Sequence, residues 1–486
     1  MTVGVRLDEA AWGLLHQAID LYQHNPRAVD QLRHQVARLE QPLRIAVAGP
    51  WRAGKSTVLN ALMGEEVAPV EGADGIVTWY EDGAHPGATA YPAGQPPQEL
   101  AVVKSATGMR VDLGWRAGEV RDIVVRWPTR ALRQVTLIDT PALSGAGEQG
   151  RVPVMDRVLR DSDAVLFLTR DGRDSDLRVL ESGRDGAVGQ AAPVNVIMVL
   201  SRADEVGGGR IDGLLTARQL ARRHQRDPRV GAVAVTVVAC SGSVGLAGRL
   251  LSESDFAALA TLAGVPRAEL EAHLLSADRF VGGGLPVRLD SEVRAALLDR
   301  FGLFGIRLAT TLVRGGFDSR VALSAELIRR SGLTELRESV TRCFIDRRDA
   351  LKARSALSAV EALLRAEPVR GADDLVGAIE QILAGAHEFR ELRLLVALRN
   401  SRLGFDAELA AEARRLIGGD GVGLAARLGV EHEATVRRLW EVASDAQWRW
   451  RDRAQDPGLP LAQRRGAEVV VRSCEGMLAE LAAGGR

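Results

Sequence analysis

A chain of 486 residues with 63 basic and 63 acidic side chains is long enough for two or three domains. Its balanced charge argues against a chain-wide nucleic-acid surface. Hydrophobic residues make up 46%, as in ordinary globular proteins, yet no apolar run reaches the ~18 residues of a membrane span, so any membrane contact is expected to be peripheral.

Residues 7–39 predict helix, with Leu14, Leu15, Ala18, Ile19 and Tyr22 on one stripe and Leu32, Val36 and Leu39 resuming it after Asn25-Pro26. From residue 43 short apolar strands alternate with helices. The first strand, "RIAVAG", runs into Gly49-Pro-Trp-Arg-Ala-Gly-Lys-Ser56 and then the helical "STVLNALMG". A GxxxxGK[ST] loop between strand and helix wraps backbone N–H groups around phosphates. Its lysine reaches the β/γ oxygens and its hydroxyl ligates Mg²⁺. Lys55 and Ser56 take those places, and Lys55 is one of only three lysines in the chain, with Lys104 and Lys352.

Residues 72–100, rich in Gly and Pro, predict one long loop, and long loops inside compact domains are usually functional. It contains "GIVT", whose Thr78 is the candidate switch threonine: such a residue completes the Mg²⁺ shell and orders its loop around the γ-phosphate. The alternative for Thr78 is a β-former entering a strand. Further apolar strands are predicted at "DIVVRWP", "VTLIDT", "AVLFLTR", "VNVIMVLS" and "VAVTVVAC". Runs of this kind suit a mostly parallel sheet covered on both faces. Asp139, at the end of "VTLID", is placed to hold the water shell of Mg²⁺. Asp204 in Ser201-Arg202-Ala203-Asp204 is placed to accept from the N1–H and exocyclic amine of guanine, a donor pair that adenine lacks. Arg202 stands where a lysine is usual, and its planar head could lie over the purine. In this order the elements point to GTP, and Ser241 is the nominee for the last guanine-contacting turn.

Beyond about residue 350 only helical patterns remain. Leu375, Ile382, Phe389 and Val396 fall seven apart, with Ile379 and Ala386 between them, and Ala467, Val470, Cys474, Met477 and Leu481 form a second seam. Trp448 and Trp450 in "QWRWRDR" lie ~200° apart on a helix, which favours packing over a shared membrane face. Residues 414–430, broken by glycines and carrying Leu416, Ile417, Val422 and Leu424, are read either as an exposed stalk tip or as a plain interhelical turn. Cys240, Cys343 and Cys474 are odd in number and lack ligand spacing. No disulfide framework or zinc site is expected, and a reducing cytosol fits. The N-terminus carries no basic-then-apolar leader pattern.

Taken with "LDRFGLFGIRLAT", "SGLTELRESV" and "DALKARSAL", the motifs "GPWRAGKSTVLNALMG", "VTWY", "VTLIDTP" and "SRADEVGGGRID" resemble the bacterial dynamin-like proteins, in particular the isoniazid-inducible pair of actinobacteria. The resemblance implies an α/β P-loop GTPase domain, mostly parallel sheet with helices on both faces, followed by an all-α helical-bundle stalk. The corresponding boundaries are 1–40 for N-terminal helices joining the neck, 41–345 for the GTPase domain and 346–486 for neck and stalk, with the possible tip at 414–430. It implies GTP/GDP and Mg²⁺ as cofactors, slow GTP hydrolysis, and a homodimer through the GTPase head or a pairing with a paralogous dynamin-like protein. It also implies peripheral lipid binding or remodelling at the inner face of the plasma membrane. No nucleic acid is expected.

The nucleotide contacts carried over are Gly49, Pro50, Trp51, Ala53, Gly54, Lys55, Ser56, Thr57, Asp139, Ala142, Ser201, Arg202, Asp204 and Ser241. Ser56, Thr78 and, through water, Asp139 would hold the metal, and Arg52, Lys55 and Thr78 are the catalytic candidates. Arg52 sits where guanylate-binding proteins and atlastins carry an arginine that acts on their own nucleotide, which can contribute ~10³–10⁵ in rate. The alternative is an arginine turned outward to a partner. Two departures stand out. Ala142 replaces the usual glycine of DTPG, at ~1 kcal/mol if a positive φ is needed, and Trp51-Arg52 replaces the Gln-Ser pair of dynamins. The rival readings are a GTP-binding scaffold with little turnover and a P-loop ATPase.

Overall fold

The computed structural model describes residues 6–68, 75–104, 109–111, 119–142, 160–182, 188, 195–282, 284–400 and 403–484. Two helices open it, α1 (Leu7–Leu21) and α2 (Pro26–Glu40). The break between them is the one Asn25-Pro26 dictates: the Asn25 side chain accepts from the Ala28 N–H at 3.2 Å, and proline supplies the first helical φ.

Among the described residues eleven strands follow: β1 (Leu43–Ala48), β2 (Val77–Asp82), β3 (Gly87–Pro92), β4 (Gln98–Leu100), β5 (Val102–Lys104), β6 (Met109–Val111), β7 (Val120–Trp127), β8 (Val135–Asp139), β9 (Ala164–Thr169), β10 (Val196–Leu200) and β11 (Thr236–Ala239). Nine of them form one sheet in the order β11-β10-β9-β1-β8-β2-β7-β3-β4, and β5 and β6 make a separate antiparallel pair. The run from β11 to β8 is wholly parallel. β2 turns antiparallel to β8 and parallel to β7, and β3 and β4 extend the edge antiparallel. This is the mostly parallel α/β sheet expected from the apolar runs.

Alternation along β1 shows why both faces are covered. Ala46 and Ala48 join an apolar cluster with Val165, Phe167, Met198 and Leu259. Leu43, Ile45 and Val47 join another with Val58, Leu62, Leu137 and Tyr80 under the loop helix α3 (Lys55–Met63). A third cluster unites α1 and α2 with the helices Arg348–Ala366, Ala372–Gly385, His387–Arg399, Val436–Gln455 and Leu461–Gly484. Most of both predicted seams falls there, although Val396 packs against the cluster under α3 instead. The second is buried throughout, whereas the first is split over two helices at Ala386, with Ile382 and Val396 only half-buried. Trp450 is fully buried, donating to Glu412 at 3.1 Å with its ring edge-on to Phe405, while Trp448 faces out with Arg451 above it. Among the described residues no helix is long and apolar enough to cross a membrane.

Three expectations are corrected. Residues 72–100 are not one loop: in their described part, β2, β3 and β4 alternate with short turns. The Gly and Pro punctuate a meander whose inward residues, such as Ala88 and Ala90, are small, and Pro92 sits at a register shift near the edge, where its missing N–H is tolerated. Residues 228–233 are helix, with Asp227 capping at Arg229 N–H and Pro228 at its start, so the strand begins only at Thr236. Leu416 and Ile417 are buried rather than exposed, because Arg347 donates to the Ile417 carbonyl and Arg427 to that of Leu416, pinning 414–430 inward. Both guanidiniums also bind the buried Glu391, at 2.8 and 2.7 Å.

Candidate functional site

The C-terminal ends of β1, β8, β10 and β11 converge on one corner, where ligands of open α/β sheets bind. The loop after β1 is shaped by backbone demands. Gly49 has φ 150°, and a Cβ there would lie 2.3 Å from the Leu168 carbonyl oxygen of β9, so only glycine fits. Arg52 (φ 59°) and Gly54 (φ 81°) are left-handed, and Gly54 starts α3 without a side-chain cap. The first N–H groups of that helix are therefore left for a ligand. Ala53 is buried beneath the loop, while Pro50 and Thr57 are half-buried.

Lys55 curls back over the loop, its Nζ donating to the Gly49 and Pro50 carbonyls at 3.3 and 3.4 Å. Burial holds its pKa below the ordinary lysine value, with Asp139 pulling the other way. Ser56 Oγ donates to Asp139 Oδ2 at 2.8 Å. Burial pushes Asp139 up to about 6, against the opposing pull of the Ser56 hydrogen bond, the Lys55 charge and the Thr140 N–H. Thr140 is tied to β1 through the Val47 carbonyl at 3.0 Å. Ala142 is half-buried and has no positive φ, so this conformation asks nothing of it that only glycine could give. Thr78 is the second residue of β2, buried, and paired across the antiparallel register with Asp139.

The second half of the corner is the Ser201–Asp204 turn. Ser201 is spent on structure, its N–H and hydroxyl both donating to the Thr169 carbonyl. Arg202 is left-handed (φ 52°) and donates from Nε to the Arg52 carbonyl at 2.8 Å while pairing with Glu205. Its head thus ties this turn to the phosphate loop, and its stem passes near Gly54. Asp204 Oδ1 is buried and, among the described residues, has no hydrogen-bond partner. An acceptor carboxylate left unsatisfied beside a phosphate loop fits a base that brings donors. The Ser56–Asp139 pair, one hydroxyl and one carboxylate, likewise fits a hydrated Mg²⁺.

The turn after β11 closes the corner. Ala203 N–H points to the Cys240 carbonyl, and a Cβ on Gly242 would meet Val58 and Thr57 of α3 within 3.2 Å. Ser241 is fully buried and caps the helix Gly242–Arg249 by accepting from Val244 N–H at 3.2 Å. Its side chain is therefore committed to the fold.

No protein-family model matches the chain. Isoniazid-induced protein IniC of Mycobacterium tuberculosis, from strain CDC 1551 / Oshkosh and from strain ATCC 25618 / H37Rv, is 37% identical over 484 residues, covering 97% of this chain and 98% of that protein. The chain belongs to the IniC family. That is the isoniazid-inducible group its motifs resemble. Among solved structures, an oligomerised bacterial dynamin pair described as sensing and tethering membranes aligns with all of this chain and 80% of its own, at 13% identity and a TM-score of 0.31. Toc33 of Arabidopsis thaliana with Mg²⁺ and GMPPNP covers 48% of this chain and 82% of its own, at 15% identity and a TM-score of 0.23. Likenesses at that level carry no argument about this chain.

In this IniC-family protein the two unusual loop residues face outward. Trp51 is 65% exposed, and the Arg52 guanidinium lies 4.9 Å from its ring centroid. Two further residues of the corner carry no motif of their own in the sequence. Arg170, just after β9, points a guanidinium nitrogen at the Arg52 carbonyl (3.4 Å) and lies 3.9 Å from Glu205. Its only signal was its place at the end of a predicted parallel strand. Tyr80 lies on β2 beneath α3 and is wholly buried. Its only signal was its position two residues after Thr78.

Proposed function

We propose that this chain binds GTP with Mg²⁺ and hydrolyses it to GDP and phosphate, slowly when alone. The observation that carries this reading is the unsatisfied, buried Asp204 Oδ1 held beside the phosphate loop by the Arg202–Arg52 hydrogen bond. An adenine would leave that carboxylate unpaired, which is costly for a buried acceptor.

Lys55 would exchange the Gly49 and Pro50 carbonyls for phosphate oxygens, and the N–H groups at the start of α3 would donate to the same phosphates. Ser56 and, through water, Asp139 would hold Mg²⁺, which supplies charge neutralisation on the β- and γ-phosphates. Thr78, opposite Asp139 but buried in β2, reaches that shell only with the start of β2 loosened, so its role belongs to the GTP-bound state. Water attacks the γ-phosphorus, the bond to the β–γ bridging oxygen breaks, and the water proton passes to phosphate or solvent. Arg52 stands at the loop rim, exposed, where it would neutralise charge on its own nucleotide or on one in a facing copy.

We read residues 41–345 as the GTPase domain and 1–40 with 346–486 as neck and stalk, a division supported by the apolar cluster that α1 and α2 share with the later helices. Self-association through the head, or with a paralogous partner, is supported by the exposed Trp51-Arg52 pair. Peripheral binding at the inner face of the plasma membrane rests on the family resemblance. Single-turnover phosphate release from purified protein, with and without liposomes, tests the enzyme reading. Release faster than from free GTP is expected, and release no faster would leave a GTP-binding scaffold.

A further inference from the structure

The helices Arg320–Ser331 and Leu333–Cys343 are joined by a single residue, Gly332, whose φ of 82° is left-handed. A Cβ there would lie 2.0 Å from the Ala239 carbonyl oxygen at the end of β11 and 3.5 Å from Cys240 Cα, so only glycine lets the corner come this close. The residue before it closes the contact. The Ser331 carbonyl, left without a helical partner at its helix end, accepts from the Ser241 N–H at 2.8 Å. Ser331 is itself buried. Its hydroxyl donates to the Ile328 carbonyl at 2.7 Å and accepts from the Leu333 N–H at 3.2 Å, which fixes the shape of the corner.

The turn that this corner backs reaches both halves of the nucleotide site. On one side the Cys240 carbonyl takes the Ala203 N–H at 3.4 Å, and Asp204 follows Ala203 directly. Burial, and then the charges of Asp204 and of Glu335 in the helix Leu333–Cys343, push the Cys240 thiol up to about 12, so both carboxylates act on the same buried residue. On the other side Gly242 abuts Thr57 and Val58 of α3. We propose that Ser331 and Gly332 form a positioning element for guanine specificity, which holds Ala239–Ser241 at the depth from which the Cys240 carbonyl sets the Asp204 turn. By reciprocity, a guanine that satisfies Asp204 steadies the corner and the start of the helix Leu333–Cys343. A nucleotide whose base brings no donors to Asp204 steadies them less. The inference rests on the reading of Asp204 as the acceptor for the base.

The test compares Gly332→Ala with the parent chain in equilibrium titrations of GTP and of ATP, each with Mg²⁺. The added Cβ forces the turn and the corner apart. GTP affinity should fall roughly tenfold, the worth of one hydrogen bond to a charged acceptor, while ATP affinity stays within about twofold. Gly316→Ala, at another left-handed glycine but with open space around it, is the control for backbone strain and should keep the parent's preference. A Gly332→Ala chain that weakens for both nucleotides alike, or keeps the parent's preference for GTP, overturns the proposal. Hydrogen exchange in the parent decides the matter without any variant, should Gly332→Ala not fold. At equal saturation GTP should slow exchange at the Ser241 N–H and at the Leu336 N–H, which donates to the Gly332 carbonyl, more than ATP does. Equal slowing by the two, or none with GTP, also overturns it. A parent that binds GTP and ATP alike, or neither, sinks the guanine reading itself and this proposal with it.

Discussion

Burial raises Asp139, the group proposed to hold a metal's water shell, to about 6. Its folded value lies above its unfolded one, so in the nucleotide-free protein it contributes stability below about pH 4 that is lost as pH rises through 6. Metal requires the ionised form. Mg²⁺-dependent GTP affinity should therefore weaken as pH falls through 6, and titrations at pH 5.5 and 7.5 check it. An affinity flat across that range would contradict the assignment. Arg52→Ala should lower kcat by ~10²-fold or more while changing GTP affinity little, if its guanidinium acts on transition-state charge. Normal kcat would assign it to the surface with Trp51. Gly49→Ala would drive a Cβ into the Leu168 carbonyl and should abolish nucleotide-dependent thermal stabilisation.

At this scale the residues whose roles are backbone-driven were readable in advance, because a phosphate loop needs glycine and lysine at fixed spacing. What was not readable depended on partners distant in sequence. Arg202 is drawn to a carbonyl 150 residues away rather than being free to lie flat on a base. Ser241 is consumed as a helix cap, a role that depends on where the following helix begins.

Among elements, the sheet could be foreseen where strands are buried on both faces and could not where they are small and half-polar. β3, with Ala88, Thr89 and Ala90, has no apolar signature, and its turns supplied the only signal. The burial of Leu416 and Ile417 was not readable for a related reason: nothing local tells that Arg347 will hold Ile417 from below. The ion cluster there is testable. Burial alone would raise Glu391, but hydrogen bonding from His387 and the charges of Arg427 and Arg347 outweigh it and hold the carboxyl far below its ordinary value. Its stabilising contribution is present above the unfolded value near 4.5 and is lost as pH falls below it. Glu391→Ala strands the buried Arg347 and should cost ~3–5 kcal/mol in urea unfolding at pH 7. A cost below ~1 kcal/mol would mean the cluster is solvated.

For the whole molecule, several contacts tie the helical part to the sheet. Arg38 of α2 pairs with the buried Asp163, just before β9, at 2.9 Å, Lys352 donates to the Gln41 carbonyl just before β1, and Arg399 reaches the Val235 carbonyl at 3.2 Å. Next to the last, Asn400 accepts from Gln225, which itself accepts from the β11 N–H of Val237. The helices thus abut the strand that leads into the turn beside Asp204. Arg38→Ala leaves the buried Asp163 without its ion-pair partner, with only the Arg44 N–H still donating to it, and should speed hydrogen exchange in α1 and α2 before the sheet responds. Simultaneous exchange throughout would show one cooperative unit.

The central claim is that this corner reads guanine. The most direct measurement is equilibrium titration of GTP and ATP, each with Mg²⁺, against the parent protein and Asp204→Asn. GTP should bind the parent ~10²-fold or more tightly than ATP, and the variant should lose most of that preference. Equal affinities in the parent, or a preference unchanged in the variant, would contradict the account.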